Sequence, residues 1–288
     1  MNTRISFILI ILVSSLFAIG SGFLAIPTTA ENLAVGAQPT FSSSVPVNPA
    51  GLMHRMQPQL QLSHGTWLAG TQSTTIFYTT DRLGGTFGVT GRYVALQGLE
   101  YRTDIPTDDP LATFDSYGAF LQAQYARSRN NIRWGIGVKA VNMYISAFHT
   151  RGLALDVGLI QSLGKELKVG ISLLNLGTFS SWEGRQARFP RRLSVGVEKS
   201  WEASLFRPVL LASLESTTQT KGIIARLGGQ VQWKQLILNL GYEHSDGVQS
   251  LSSGLGIRTG RYAIQYGFRF GSQDLTMPQV LDIAITLP

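Results

Sequence analysis

The sequence lacks several features that define large classes of proteins. It has no cysteine, which excludes disulfide frameworks and thiolate metal sites. Only 14% of its 288 residues are charged, compared with about 25% in soluble domains. After the N-terminus, no apolar run reaches the roughly 18 residues that a membrane-spanning helix needs. The chain therefore combines low charge with the absence of an obvious transmembrane helix.

Motifs of catalysis and cofactor binding are also missing. The histidines His54, His64, His149 and His244 are scattered, without a metal-ligand spacing such as HExxH. No GxSxG nucleophile turn is present. The net charge of +7 comes from dispersed Lys and Arg, without a nucleic-acid-binding motif. We predict a protein that is not an enzyme, uses no cofactor or metal, and binds no nucleic acid.

Residues 1–30 are typical of an export signal. Arg4 supplies the positive start, and Ile5–Gly20 supplies an apolar core that is short for a membrane anchor. Small residues permit cleavage after Gly20 or after Ala30, and both sites stay open here. The mature chain is expected outside the cytoplasm.

Apolar residues alternate with small or polar residues along most of the remaining chain. Leu153 and Leu155, for example, alternate with Ala154 and Asp156. A period of two over many segments predicts antiparallel β-sheet, and the segments have the length of tilted bilayer-crossing strands, about ten residues. We predict fourteen strands near residues 58–67, 72–80, 85–96, 116–127, 131–143, 151–161, 166–176, 190–200, 206–216, 222–233, 235–243, 249–258, 261–271 and 278–287.

The connections between these strands carry independent information. Those after even-numbered strands are mostly short, and those after odd-numbered strands are mostly longer, as in bacterial outer-membrane barrels. The sequence thus predicts an all-β fold, a single transmembrane antiparallel barrel of about 14 strands, integral to the bacterial outer membrane, with its bulky face toward lipid. Aromatic residues near strand ends suit interfacial girdles: Tyr93, Tyr125, Trp134, Tyr144, Trp201, Trp233, Tyr242 and Tyr262.

The small and polar face is predicted to line the lumen. The charges on this face have both signs, which suggests ion pairing across the lumen. They are Arg133, Lys139, Asp156, Lys168, Glu198, Arg226, Glu243, Arg269 and Asp282. A barrel of this size is too wide for its wall side chains to fill, so another part of the chain is expected inside.

The segment before the first strand resembles a known family. "LAVGAQPT" followed by "VNPAGLM" is similar to the N-terminal signature of the PorV/PorQ family of outer-membrane barrels, which belong to a group with a FadL-like fold. The blocks Trp134–Ile160 and Leu238–Phe268 are similar to that family as well. The resemblance implies that residues 31–56 fold into the lumen as a plug and that residues 57–288 form the barrel. It implies a structural role for the motif Asn48, Pro49, Ala50 and Gly51.

The same resemblance implies a role in protein secretion. Family members belong to type IX-like secretion and surface-attachment systems, whose partners are other secretion proteins or cargo C-terminal domains. The candidate contact residues lie in an acidic and a basic loop: Asp104, Asp108, Asp109, Arg185 and Arg188. The alternative is a FadL-like outer-membrane channel for hydrophobic small molecules. That function would require an apolar lumen pocket and a lateral opening at a strand kink.

Overall fold

The alternating segments form the strands that the sequence predicts. The computed structural model describes residues 21–41, 44–54, 58–102, 108–146, 148–181, 187–201, 205–270 and 277–288. Its strands are β1 (Gln59–Thr66), β2 (Gln72–Arg82), β3 (Gly85–Tyr101), β4 (Ala112–Arg129), β5 (Ile132–Ile145), β6 (Phe148–Ser162), β7 (Leu167–Phe179), β8 (Arg192–Ser200), β9 (Phe206–Thr217), β10 (Ile223–Trp233), β11 (Leu236–Ser245), β12 (Val248–Thr259), β13 (Tyr262–Phe270) and β14 (Gln279–Thr286).

The fourteen strands close into one antiparallel barrel. Each strand pairs with its neighbours in sequence, and β14 pairs with β1 from Gln59 opposite Thr286 to Thr66 opposite Gln279. Closure leaves no unpaired sheet edge, which a bilayer could not hydrate. The predicted all-β barrel of fourteen strands is confirmed.

The two faces of each strand have different surroundings. Leu153 on β6 and Leu240 on β11 are 65% and 67% exposed, whereas Asp156 on β6 is 1% exposed. Large apolar side chains cover the outside of the barrel, a surface far beyond the apolar patches of soluble proteins. Such an exterior fits the hydrocarbon of a bilayer, with each bulky face pointing outward.

The two ends of the barrel carry different connections. One end has short turns at residues 83–84, 130–131, 163–166, 234–235 and 260–261, and in outer-membrane barrels such turns face the periplasm. At the other end, the predicted long loop at 142–152 is wrong. Strands β5 and β6 both extend into it, so that only residues 146–147 connect them. Their extra pairs continue the hydrogen-bond ladder from Asn142 opposite Arg151 to Ile145 opposite Phe148.

The N-terminal segment, residues 21–54, forms short helical turns. They are a 3-10 helix at Ser21–Ala25, the helix α1 at Ala30–Ala34, and a 3-10 helix at Pro49–His54. Thr29 caps α1, because its side chain accepts a hydrogen bond from the Asn32 N–H. Leu33, Ala34 and Leu52 are fully buried. No helix in the described ranges is long and apolar enough to cross a membrane.

Candidate functional site

The N-terminal segment packs against the inner face of the barrel through glycines. A β-carbon on Gly158 of β6 would lie 1.6 Å from Asn48 Oδ1, and one on Gly241 of β11 would lie 2.1 Å from the Gly36 nitrogen. Close contacts of this kind recur on most strands: Gly88, Gly118, Gly135, Gly170, Gly196, Gly228, Gly254 and Gly267. Inward glycines therefore give the space that the segment occupies. The contacts begin near Gly22 and Phe23, upstream of the predicted boundary at residue 31.

The predicted NPAG motif lies against β5, β6 and β7. The Asn48 side-chain oxygen accepts a hydrogen bond from the Ala50 N–H at 3.0 Å, and its amide nitrogen donates to the Ile171 carbonyl at 3.4 Å. Pro49 begins the following 3-10 helix, and the Gly51 N–H donates to the Asn48 carbonyl. The side chain of Asn48 thus starts this helical turn and ties it to the wall.

Arg92 of β3 is a site residue that the sequence analysis missed. Its guanidinium donates hydrogen bonds to the carbonyls of Ile26 at 2.7 Å, Pro27 at 3.0 Å and Phe23 at 3.5 Å. It also donates twice to the hydroxyl of Ser73 on β2. Arg92 is 3% exposed, so these acceptors replace water around its charge. The alternation of β3 predicts that Arg92 faces inward, because the next residue, Tyr93, faces outward.

An apolar cluster fills the β3–β7 side of the lumen toward the longer loops. Phe23 and Leu24 of the N-terminal segment contribute to it, and the rings of Phe179 and Phe189 stack at 4.0 Å. The remaining members come from β3 to β6: Val94, Phe120, Val141, Met143 and Ala154. The start of the N-terminal segment thus fills an apolar chamber.

A ladder of ion pairs follows the wall on the β8–β13 side. Glu215 of β9 accepts from Arg192 at 2.8 Å and from Arg226 at 3.5 Å, and Glu243 of β11 accepts from Arg226 at 2.7 Å and from Arg269 at 3.0 Å. The predicted pairing across the lumen is wrong here, because long side chains on strands one or two apart reach each other first. Arg192, the first residue of β8, is buried in this ladder.

The other predicted lumen charges have separate partners. Lys139 pairs with Asp156 at 3.0 Å, and Lys168 pairs with Glu198 on the neighbouring strand. Asp282 of β14 accepts a hydrogen bond from the Ala30 N–H at 2.9 Å, at the start of α1. Arg133 lies near the short-turn end of β5, on the same strand face as Lys139.

Two β-bulges interrupt the otherwise regular wall. Between β3 and β4, Gln97 and Gly98 face the single residue Asp115, whose side chain accepts the Gly98 N–H at 2.9 Å. Gly98 has a φ of 68°, which favours glycine. Between β6 and β7 the irregularity falls at Asp156, which accepts the N–H of Asn175 at 2.6 Å. At both bulges, a backbone N–H donates to a carboxylate of the facing strand instead of to a backbone carbonyl of that strand.

Two cavities border the N-terminal segment. One of about 940 Å³ lies at the short-turn end, where Lys168, Arg207 and Arg258 contribute to a polar lining and Val35 and Phe41 of the segment line its inner side. The other, of about 50 Å³, lies among Arg92, Lys139, Asp156 and Arg192 and has room for ordered water. We call the larger cavity the vestibule.

The predicted contact loops are only partly described. Asp108 and Asp109 are exposed between β3 and β4, and Arg188 is exposed between β7 and β8, where its carbonyl accepts from the Ser21 hydroxyl. Asp104 and Arg185 lie outside the described residues. Within the described ranges, no group of three or more His, Asp or Glu side chains is arranged to hold a metal ion.

Solved structures share this fold at low sequence identity. The toluene transporter TodX of Pseudomonas putida matches with a TM-score of 0.62 and 11% identity, over 94% of this chain and 98% of that one. A deltaS2S3 mutant of the TodX monoaromatic hydrocarbon channel matches with a TM-score of 0.66 and 11% identity, over 91% and 99%. No protein-family model and no curated protein matches the chain. The fold is that of an outer-membrane β-barrel.

This fold and the apolar exterior together confirm the predicted integral location in the bacterial outer membrane. The general part of the sequence resemblance is confirmed: the chain is an outer-membrane β-barrel. The narrower family and its secretion role are considered with the function below.

Proposed function

We propose that the protein is an outer-membrane channel for hydrophobic small molecules and that residues 21–54 form its plug. The observation that carries the proposal is an apolar chamber inside a barrel with the fold of TodX, next to a bulge in the barrel wall. Val94 and Phe120 of the chamber lie on β3 and β4, the two strands whose pairing contains the bulge. The proposed entry for the solute is beside this bulge, on the loop side of the girdle residue Tyr93.

The chemistry of the chamber supports an apolar solute. Phe120, Met143, Phe179 and Phe189 offer aromatic and thioether surface, and the charges on this side lie at its border and are already paired or hydrogen-bonded. The plug fills this chamber with Phe23. Passage of a solute therefore requires the plug to move out of the chamber. The vestibule on the other side of the plug then opens toward the short-turn end.

Deletion of Gly98 tests this function directly. Removing one residue leaves Gln97 opposite Asp115 and makes the β3–β4 ladder regular, with little change to the remaining barrel. Cells that rely on this protein should lose uptake of a radiolabelled monoaromatic solute, measured over the background of a deletion strain. Deletion of Gly222, which lies in open space in the loop between β9 and β10, is the matched control. Wild-type uptake no higher than that of the deletion strain would refute the channel, and normal uptake by a folded barrel without Gly98 would refute entry of the solute beside the bulge.

A type IX-like secretion component of the PorV/PorQ kind is the second candidate. The NPAG motif and a plug that contacts nearly every strand favour it, because a barrel held closed suits a docking role. The exposed acidic residues Asp108 and Asp109 and the basic residue Arg188 are then the candidate contacts for partner proteins or cargo C-terminal domains. The surface proteome of a deletion strain tests this role. Cargo retained in the periplasm would support it, and an unchanged proteome would exclude it.

Packing also favours one of the two predicted cleavage sites. Cleavage after Gly20 keeps the carbonyls of residues 23, 26 and 27 that hold Arg92, whereas cleavage after Ala30 removes them. A buried guanidinium without acceptors is costly. We propose that the mature chain begins at Ser21. N-terminal sequencing of the membrane-extracted protein should give Ser-Gly-Phe, and a start at residue 31 would contradict the proposal.

A further inference from the structure

Positive charge collects on the outside of the barrel at its short-turn end. Arg127 and Arg129 on β4 and Lys199 on β8 are exposed and share the outward face of their strands with Leu121 and Val197. Further exposed cations lie at the end of β2 and in two of the turns. We name the whole set the basic rim: Arg82, Arg127, Arg129, Lys165, Lys199 and Lys234.

Aromatic side chains lie next to cations of the basic rim. Lys199 lies 4.9 Å from the ring centre of Trp201, and Lys234 lies 5.6 Å from that of Trp233. Arg127 is opposite Trp134 in the β4–β5 ladder. Trp134 and Trp233 are 41% and 43% exposed. Tryptophan and tyrosine rings on a barrel exterior mark the boundary between hydrocarbon and headgroups, so the rim lies at headgroup level.

In the part of the chain that the structure describes, acidic residues do not balance this charge on the outer surface. Of the described acidic residues near the short-turn end, Asp81 accepts a hydrogen bond from Thr86, and Glu198 pairs with the lumen-facing Lys168. Glu166 remains in the turn that also contains Lys165. Among the described residues, the outward face at this end is therefore cationic.

We infer that the basic rim binds the phosphate groups of anionic phospholipids in the periplasmic leaflet. Arginine and lysine donate charge-assisted hydrogen bonds to phosphate oxygens, with arginine able to make two at once. A soluble polyanion fits less well, because these side chains point toward the bilayer and flank lipid-facing tryptophans. Each cation near an anionic surface contributes about 1 kcal/mol, roughly a fivefold change in affinity.

Native mass spectrometry of the full-length mature protein in detergent micelles tests the inference. Phosphatidylglycerol and phosphatidylethanolamine with identical acyl chains are added at equal concentration, and the bound lipids are counted. The wild type should retain phosphatidylglycerol preferentially. The triple variant R127Q/R129Q/K199Q should lose that preference, with phosphatidylglycerol affinity about 100-fold lower if the three contributions add. Heat-modifiable gel mobility shows that each variant is folded.

The matched control removes three exposed cations at the opposite end, R151Q/R191Q/K221Q, and should bind phosphatidylglycerol like the wild type. Equal retention of the two lipids by the wild type, or equal loss in both triple variants, would overturn the inference. Competition by soluble glycerol phosphate at the same concentration would also overturn it, since the rim would then recognise phosphate without the membrane.

Discussion

The two sides of the lumen hold the same N-terminal segment by different chemistry. Along β3–β7 the segment inserts Phe23 and Leu24 into an apolar cluster. Along β10 and β11 it presents backbone, where Val35 and Gly36 lie against Gly228 and Gly241. On this β8–β13 side, toward the longer loops, the arginine–glutamate ladder occupies the lumen. On the β3–β7 side, the corresponding space is filled by side chains of the N-terminal segment.

The difference shows that strand alternation alone does not determine the character of a lumen. Most inward positions are small or polar, but those beside the start of the N-terminal segment are large and apolar. Large barrels leave an interior that wall side chains cannot fill. Where the segment brings aromatic side chains the wall supplies Phe120 and Phe179, and elsewhere buried charges pair with each other.

The largest effect is expected from breaking the ladder at Glu215. This residue accepts from both Arg192 and Arg226, so Glu215→Gln leaves two buried guanidinium groups without their shared charge. Breaking a buried ion pair costs about 3–5 kcal/mol. The urea midpoint of the purified barrel, followed by gel mobility, should fall accordingly. Glu100→Gln, in an exposed pair with Arg102, should change it by less than about 1 kcal/mol. Equal effects of the two variants would mean that the ladder contributes no more than a surface pair.

On the apolar side the corresponding change is Phe23→Ala. Loss of a buried aromatic side chain costs about 3 kcal/mol or slightly more. We expect the N-terminal segment to loosen before the barrel unfolds, so limited proteolysis should cut this segment while the barrel keeps its folded gel mobility. Leu111→Ala, at a residue that is 58% exposed, is the control. Unchanged proteolysis would argue against the apolar cluster as the anchor of the segment.

A smaller effect is expected from filling the space of an inward glycine. In Gly158→Ala the new β-carbon would overlap Asn48 Oδ1, which must move and lose its bond to Ala50. Overpacking of this kind costs about 1–3 kcal/mol. Proteolysis of the segment again measures it. Gly229→Ala, whose β-carbon would have its nearest neighbour at 3.7 Å, should leave the segment protected. If both variants behave alike, close approach at Gly158 does not hold the NPAG motif in place.

Much of the barrel could be predicted from the sequence because the alternation of inward and outward residues depends only on neighbours along the same strand. The alternation of β6, β8 and β11 places each residue inside or outside, and strand bounds agree within a few residues except where hairpins extend. Strands β3 and β4 are the main exception. They run beyond the predicted ends, because pairing resumes past the bulge from Leu99 to Tyr101.

The contacts inside the lumen could not be predicted in the same way. Alternation assigns Arg226 and Glu243 to the inner face, yet which long side chains meet depends on register and on strand tilt. Arg92 is the clearest case, since its acceptors are carbonyls of a segment some seventy residues earlier in the chain. Alternation places Arg92 on the inner face, but no sequence pattern identifies the carbonyls to which it donates.

The smallest effect is expected at the cap of α1, within the segment itself. Thr29 accepts a hydrogen bond from the Asn32 N–H, and its hydroxyl also lies 2.8 Å from that of Ser44, so it joins two parts of the N-terminal segment. Thr29→Ala should cost about 1 kcal/mol, seen as faster hydrogen exchange at the amide of Asn32 while the urea midpoint of the barrel stays unchanged. Thr29→Ser keeps the hydroxyl and should restore slow exchange. If Thr29→Ser exchanges as fast as Thr29→Ala, the threonine methyl group and not the cap stabilises α1, and both sides of the lumen would then hold the segment mainly by packing.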